Sequence, residues 1–393
     1  MHTQSMTIEP KHPTLEAALS LQSELSQRAA EMEEVRRLPS DLAQKLAQGG
    51  LFRMITPAAY GGLECTPRQV VDAVEAVAEA NASAGWCVMI GATTALNAAY
   101  MEPDMAKEVY KDPMTITGGV FAPMGKAVAD GDDFIVSGRW QWGSGSANCT
   151  WLCGGSMIFD DGELRLLPSG RPDARMMVFP AEEAELLDTW HVMGLKGTGS
   201  GDIAVQNIRV PKGRSVSLVA DKPHIDGALY KFPAFGLLSL GVAATALGNA
   251  KGALQAFADL ASAKKNQGSA KTLSERATIQ SEMAKLTAAF RAARAYLHDE
   301  IELTWDIAQN SDDIPVERRA ALRMACTHMV RTSADICRTT YDLGGGAALF
   351  EASDLQRRFR DAHAMTQHIV TAPATWELTG RLLFGLPTDA SMV

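Results

Sequence analysis

The sequence lacks a phosphate-binding glycine fingerprint: no G-x-G-x-x-G opens a helix after a strand, and no G-x-x-x-x-G-K-[ST] occurs. Those motifs seat phosphates on a helix N-terminus, so no nucleotide is expected in the Rossmann or P-loop manner. Positive charge is in the minority, with 37 Lys and Arg against 46 Asp and Glu and a formal net charge of −9. Nucleic-acid binding runs on clustered cations, and this balance argues against it. Cysteine is sparse: six residues, of which only Cys149 and Cys153 are close together. No second Cys or His pair completes a zinc spacing. No metal site is expected, and the thiols read as reduced, in a cytoplasmic setting. No run reads as a membrane span, and no basic head followed by an apolar stretch marks a signal peptide.

What is present is apolar residue in quantity, 46% over 393 residues, enough for two or three packed units. Residues 13–113 read as successive helices: a Leu-, Ala- and Glu-rich stretch at 14–37, another at 40–48, a turn-rich break at 55–62, then Thr66 capping a helix that opens on Pro67. Ser83 is expected to cap a further apolar helix reaching about Tyr100. Residues 114–222 change character. Short runs at 115–121, 133–137 and 175–179 have strand composition and are separated by Gly, Asp and Pro turns, which predicts an antiparallel β domain. From about Phe232 the chain is helical again. Ile279, Met283, Leu286, Phe290, Ala293 and Leu297 step by three or four, a core-facing stripe. Gly241, Gly248 and Gly252 fall inside another helical pattern, where each costs roughly 1 kcal/mol against Ala; close approach between helices is the expected reason. The order is not the alternating βαβ of a parallel sheet.

Helices, a β domain, then long helices is an order that resembles the acyl-CoA dehydrogenases, and local motifs agree along nearly the whole chain. Leu51-Phe-Arg-Met-Ile-Thr-Pro57 with Tyr60-Gly-Gly62 resembles that family's N-terminal segment. Gly118-Gly-Val-Phe-Ala-Pro-Met-Gly125 and Ser137-Gly-Arg-Trp-Gln-Trp-Gly-Ser-Gly145 resemble its flavin-facing strands and loops. Trp190-His-Val-Met-Gly-Leu-Lys-Gly-Thr-Gly-Ser200, closed by Val210-Pro211, resembles the end of its β domain. Leu343-Gly-Gly-Gly346 and Leu355-Gln-Arg-Arg-Phe-Arg-Asp361 resemble its C-terminal bundle. The resemblance implies an α+β, mostly α fold: an N-terminal helical domain (1–114), a central antiparallel β-barrel-like domain (115–225) and a C-terminal four-helix bundle (226–393), assembled as a homotetramer.

The dehydrogenases carry a Glu base, in many members within Tyr-Glu-Gly soon after the Arg-Asp pair. Here Arg360-Asp361 is followed by no Tyr-Glu-Gly; His368 stands seven residues beyond Asp361. This is similar to the oxygenase components of two-component flavin monooxygenases. The resemblance then implies FMNH2 or FADH2 supplied by a separate NAD(P)H:flavin reductase, O2, a flavin C4a-hydroperoxide, and hydroxylation of a small aromatic or heteroaromatic substrate such as a phenol or indole. A dehydrogenase using FAD and a displaced base, Glu351 or Glu300, is the rival. A flavin-free scaffold of the same fold is a more distant one.

Residue roles follow from the same resemblance. Ser144 is the candidate hydrogen-bond donor to the flavin ring nitrogen, with Ser146 as fallback. If residues 138–144 form a strand, Trp140, Trp142 and Ser144 share a face; alternatively both Trp are β-domain core and Ser144 ends a strand. His368 is the candidate acid/base, its ordinary pKa of about 6.5 suiting proton exchange near neutrality. On a continued helix, Asp361, Met365 and His368 would form one stripe, while Asp361 and Arg360 would make structural ion pairs. Phe121, Ala122, Pro123, Trp142 and Gly145 are the expected flavin contacts. Gly344 and Gly345 are either contacts to a neighbouring subunit's flavin or a plain helix break. Trp86 and His191 are the candidate substrate-lining residues.

Overall fold

The computed structural model describes residues 11–393 apart from Asn266, Gln267, Ser269 and Met392. The N-terminal helices are α1 (Pro13–Gln27), α2 (Ala29–Val35), α3 (Ser40–Gln48), α4 (Pro67–Ala80), α5 (Ala82–Thr94) and α6 (Pro103–Val109). Thr66 and Gln69 close a reciprocal capping box at the start of α4. Asn81, not Ser83, caps α5: its side chain accepts from the Ala84 N–H at 3.0 Å, and Ser83 is already inside the helix. Asn81 is placed to do both jobs, since its own N–H still closes α4 on Val77 O.

The strands are β1 (Thr117–Asp130), β2 (Asp133–Trp140), β3 (Trp151–Asp160), β4 (Glu163–Leu164), β5 (Ala174–Pro180), β6 (Glu185–Leu187), β7 (Asp202–Pro211) and β8 (Ser215–Val216). They form one open sheet in the order β6-β7-β2-β1-β3-β5-β8, with β4 added to β3. The sheet is mixed rather than antiparallel throughout: β1 and β3 run parallel, joined by a crossover through β2 and the loop after it. Its core gathers around Trp140, which is fully buried. A side chain at Gly125, Gly138 or Gly154 would strike that indole, and its Nε1 donates to Gly155 O at 2.6 Å. Three glycines therefore exist to house one tryptophan.

The C-terminal part comprises α7 (Ala228–Lys231), α8 (Ala234–Ala263), α9 (Ala277–Asn310), α10 (Val316–Gly344), α11 (Asp354–Met365) and α12 (Ala374–Leu383). Helices α8 to α11 pack as the bundle, with α10 touching the other three. Leu286, Phe290, Ala293 and Leu297 of the expected stripe are buried on α9. The glycines of α8 mark close approaches: Gly241 lies against Met89, a Cβ on Gly248 would run into the α4 backbone at Glu75 and Glu79, and one on Gly252 would occupy the Arg358 guanidinium. That buried guanidinium donates to Glu79 O at 2.7 Å, satisfying the end of α4. Contrary to the reading of the sequence, α8 is long and apolar enough to cross a membrane by length and composition; 89% of its most apolar window is buried inside the protein.

Candidate active site

β2 ends at Trp140, so the proposed shared face does not form. Gln141 begins a loop, Trp142 takes a left-handed backbone (φ 68°), and its indole is 58% exposed while Trp140 is in the core. The reason is a change of partner. Up to Trp140 the chain pairs with β7, but beyond it the Gly143 N–H goes to Gly201 O at 2.9 Å and the Gly145 N–H to Thr198 O at 2.8 Å. A non-glycine residue held at positive φ is strained; here the strain presents an indole outward and turns Ser144 inward.

The 142–145 loop and the 198–201 loop, zipped together in this way, bring Ser144 beside Ser200, with Oγ atoms 2.6 Å apart. Ser200 Oγ lies 2.6 Å from Thr198 Oγ1, which donates to Leu195 O at 2.8 Å. From α5, Trp86 Nε1 donates to Ser144 Oγ at 3.1 Å. The same indole meets the His368 ring edge-on, centroids 5.5 Å apart. Ser144, Trp86 and His368, from a β-domain loop, an N-terminal helix and the C-terminal region, thus converge. Ser146, the fallback, is also buried but heads a short 3-10 turn and makes no side-chain hydrogen bond among those described.

His368 is not on the helix of Asp361. α11 stops at Met365 because Thr366 turns its hydroxyl back on His363 O at 2.7 Å and Arg331 takes Thr366 O at 3.1 Å, supplying partners to the last carbonyls. His368 instead caps the next turn, Nδ1 accepting from the Val370 N–H at 3.4 Å, which leaves the proton on Nε2. Burial, aided by the Arg323 charge, pulls its pKa down to about 4. The imidazole is therefore neutral at pH 7, a hydrogen-bond donor rather than a cationic acid.

Asp361 forms no ion pair among the described residues. It is buried and accepts the Leu195 N–H at 2.6 Å, and burial pushes its carboxyl up to about 6. Gly194 makes this approach possible, since a Cβ there would strike the Arg360 backbone. Arg360 does pair, with Glu33 at 2.7 Å. Of the rival bases, Glu300 is bound to Arg318 at 2.5 Å within the bundle, and Glu351 is exposed after α10. No hydrogen bond or ion pair among the described residues joins either to the Ser144 cluster.

Phe121–Met124 have a distinct backbone. The β1–β3 register jumps from Val120 to Gly125, and β1 rejoins β2 only at Lys126. Phe121, Ala122, Pro123 and Met124 thus fall in an irregularity of β1 and have no register partner in either pairing. Gly155 sits under the arch, where a Cβ would strike Phe121 O and come within 2.7 Å of Ala122 O. An irregular main-chain arch, an exposed indole and a buried hydroxyl suit a flat heterocycle with alternating polar edges. An enclosed void lined by Phe52, Cys87, Gly91, Ser144 and Cys149 is about 10 Å³, room for a water and not for a ring.

The remaining expected residues lie apart from this cluster. His191 is exposed beside Asp188 and has no described contact with Trp86. Gly344 and Gly345 end α10; Gly345 has φ 56°, and Gly344 O accepts from Lys264 Nζ at 2.7 Å. Within one chain they form a helix break. Thr198 and Ser200 received no role from the sequence. Their signal was the Thr-Gly-Ser-Gly run at 198–201, which only the long-range pairing turns into a site.

Residues 16–107 match the acyl-CoA dehydrogenase N-terminal domain and residues 240–373 the acyl-CoA dehydrogenase C-terminal domain. The chain is 30% identical over 360 residues to an indole-3-acetate monooxygenase of Pseudomonas putida, covering 91% of this chain and 90% of that protein. It is 30% identical over 400 residues to the flavin-dependent monooxygenase oxygenase subunit HsaA of Mycobacterium tuberculosis, covering 96% and 97%. The crystal structure of 3-HSA hydroxylase from Rhodococcus sp. RHA1 superposes with a TM-score of 0.89 at 26% identity, covering 97% of this chain and 99% of that one. With this fold and with relatives of this kind over more than nine-tenths of its length, the chain belongs to the acyl-CoA dehydrogenase family, in its flavin-dependent monooxygenase branch.

Proposed function

We propose that the protein is the oxygenase component of a two-component monooxygenase that takes FMNH2 or FADH2 from a separate NAD(P)H:flavin reductase and hydroxylates a small aromatic or heteroaromatic compound with O2. One oxygen atom enters the product and the other leaves as water, the two electrons coming from the reduced flavin. The observation that carries the reading is the meeting of buried Ser144 and Trp86 with half-buried His368, with no carboxylate among them. A thioester dehydrogenase needs a base there; an oxygenase needs a dry polar group and a proton donor.

In this reading the Phe121–Pro123 arch, Trp142, Ser144 and Gly145 hold the flavin ring. Ser144 bonds the ring nitrogen. Trp86 fixes Ser144 and walls the aromatic subsite with His368, whose Nε2–H is the donor to the oxygen or the substrate hydroxyl. We assign Gly344 and Gly345 to contact with a neighbouring subunit in a homotetramer and His191 to the mouth of the substrate site. The enzyme is placed in the cytoplasm, a setting that the unpaired state of all six cysteines suits, with neither nucleic acid nor membrane as partner.

The test is turnover under ¹⁸O2 with a flavin reductase, NADH, FMN or FAD, and a panel of phenols and indoles. Incorporation of one labelled oxygen supports the reading. Bleaching of bound oxidised FAD by an acyl-CoA, with no labelled product, supports the dehydrogenase instead.

A further inference from the structure

Leu195 O sets one direction for the hydroxyls beside Ser144. Thr198 Oγ1 lies 2.8 Å from Leu195 O, a pure acceptor, so the Thr198 proton points there. At the 2.6 Å Thr198–Ser200 contact Thr198 must then accept, and Ser200 donates. At the 2.6 Å Ser200–Ser144 contact Ser200 has spent its proton, so Ser144 donates. Trp86 Nε1 fills one lone pair of Ser144. What Ser144 offers outward is its second lone pair: it is an acceptor.

The opposite direction is also fully bonded. If Thr198 turns its proton to Ser200, Ser200 donates to Ser144 and the Ser144 proton is released outward. Leu195 O loses one donor but keeps two, Trp190 Nε1 at 3.0 Å and the Thr198 N–H at 3.1 Å. No buried group is orphaned, and only hydroxyl protons move.

We propose that Ser144, Ser200 and Thr198 form a two-state hydroxyl relay that matches Ser144 to the oxidation state of the flavin, with Ser200 and Thr198 as positioning residues. The ring nitrogen next to the reacting carbon carries a hydrogen in reduced flavin and a bare lone pair in oxidised flavin. The direction with the Leu195 bond intact accepts from the former; the reversed direction donates to the latter. The first direction keeps a proton between Thr198 Oγ1 and Leu195 O, 2.8 Å apart, where the reversed one sets lone pair against lone pair; it therefore favours the reduced cofactor, the form a two-component oxygenase has to capture from its reductase. This rests on the placement of Ser144 at the flavin ring proposed above.

The experiment is equilibrium binding of FADH2 and FMNH2 under anaerobic conditions and of FAD and FMN in air, for wild type, Ser200→Ala, Thr198→Val and Thr198→Ser. Wild type is expected to bind the reduced form more tightly. Ser200→Ala frees the Ser144 proton, so that Ser144 can donate as well as accept, and Thr198→Val leaves Ser200 no acceptor but Ser144; in both, Ser144 is no longer held as an acceptor. Each is expected to lower the reduced-to-oxidised affinity ratio about fivefold, the worth of one hydrogen bond, and Thr198→Ser restores it. A wild-type preference for reduced flavin that both variants leave unchanged overturns the relay alone. Wild type without that preference overturns the functional reading and the relay together.

Discussion

The neutral state of His368 is open to direct titration. Its ring packs edge-on against Trp86, and burial lowers its pKa from 6.5 to about 4. At pH 7 roughly one molecule in a thousand carries the imidazolium. The folded-state value lies below the unfolded one, so the folded state resists protonation. Stability is complete above about pH 6.5 and is lost as the pH falls towards 4. The difference of about 2.5 pH units corresponds to about 3 kcal/mol at most. Histidine-selective ¹³C labelling gives the assay: the resonance missing in His368→Asn belongs to His368, and it should hold its neutral shift until the pH drops below about 5. Urea unfolding of the same pair at pH 8 and pH 4.5 should show wild type losing about 2 kcal/mol more than the variant. A His368 midpoint between 6 and 7 would refute the argument and restore a cationic acid to the site.

Four further outcomes follow from the geometry. Asp361→Asn keeps the Leu195 N–H bond but removes a carboxyl raised by burial to about 6; because wild type is penalised as the pH rises through about 4 to 6, the variant should gain up to about 3 kcal/mol relative to it between pH 3.5 and pH 8 in denaturant titrations. Gly248→Ala drives a Cβ into the α4 backbone, within 2.7 Å of Glu79 N, and should cost at least about 1–3 kcal/mol in thermal or urea unfolding. Gly155→Ala should disturb the Phe121–Met124 arch and weaken flavin binding tenfold or more, on the order of 1.4 kcal/mol, in fluorescence titration, with the helical circular dichroism retained. Trp86→Phe keeps a ring beside His368 but drops the Nε1–H to Ser144, a loss of about 1 kcal/mol, and should raise peroxide released per flavin consumed several-fold.

The helices were legible in the sequence where the cause is local. Thr66–Pro67–Gln69 fixes its own cap, the α9 stripe repeats with the turn, and the α8 glycines imply close neighbours, though not that one admits a backbone and another the Arg358 guanidinium. Features set by distant partners were not legible. Nothing in residues 138–144 says that the strand ends at Trp140; that is decided when Gly143 finds Gly201 and Gly145 finds Thr198. The parallel β1–β3 pair depends in the same way on a crossover. His368 left its helical stripe because Arg331, from another helix, takes the terminal carbonyl. In the candidate site, Ser144, Trp86 and His368 were singled out separately, while the Trp86–Ser144 and Ser144–Ser200 contacts bridge 58 and 56 residues of chain and the Trp86–His368 contact joins the N-terminal helices to the C-terminal region.

The central claim is that this site holds reduced flavin and keeps its reaction with oxygen from going straight to hydrogen peroxide. The most direct measurement is to mix the protein anaerobically with FMNH2 and, separately, FADH2, then with O2 in a stopped-flow instrument, following flavin absorbance and peroxide release together. The account predicts that the spectrum changes promptly on oxygen addition while peroxide release lags well behind that of free reduced flavin, and that Ser144→Ala shortens the lag. Reoxidation with the kinetics and peroxide yield of flavin in buffer, for both cofactors, would contradict it.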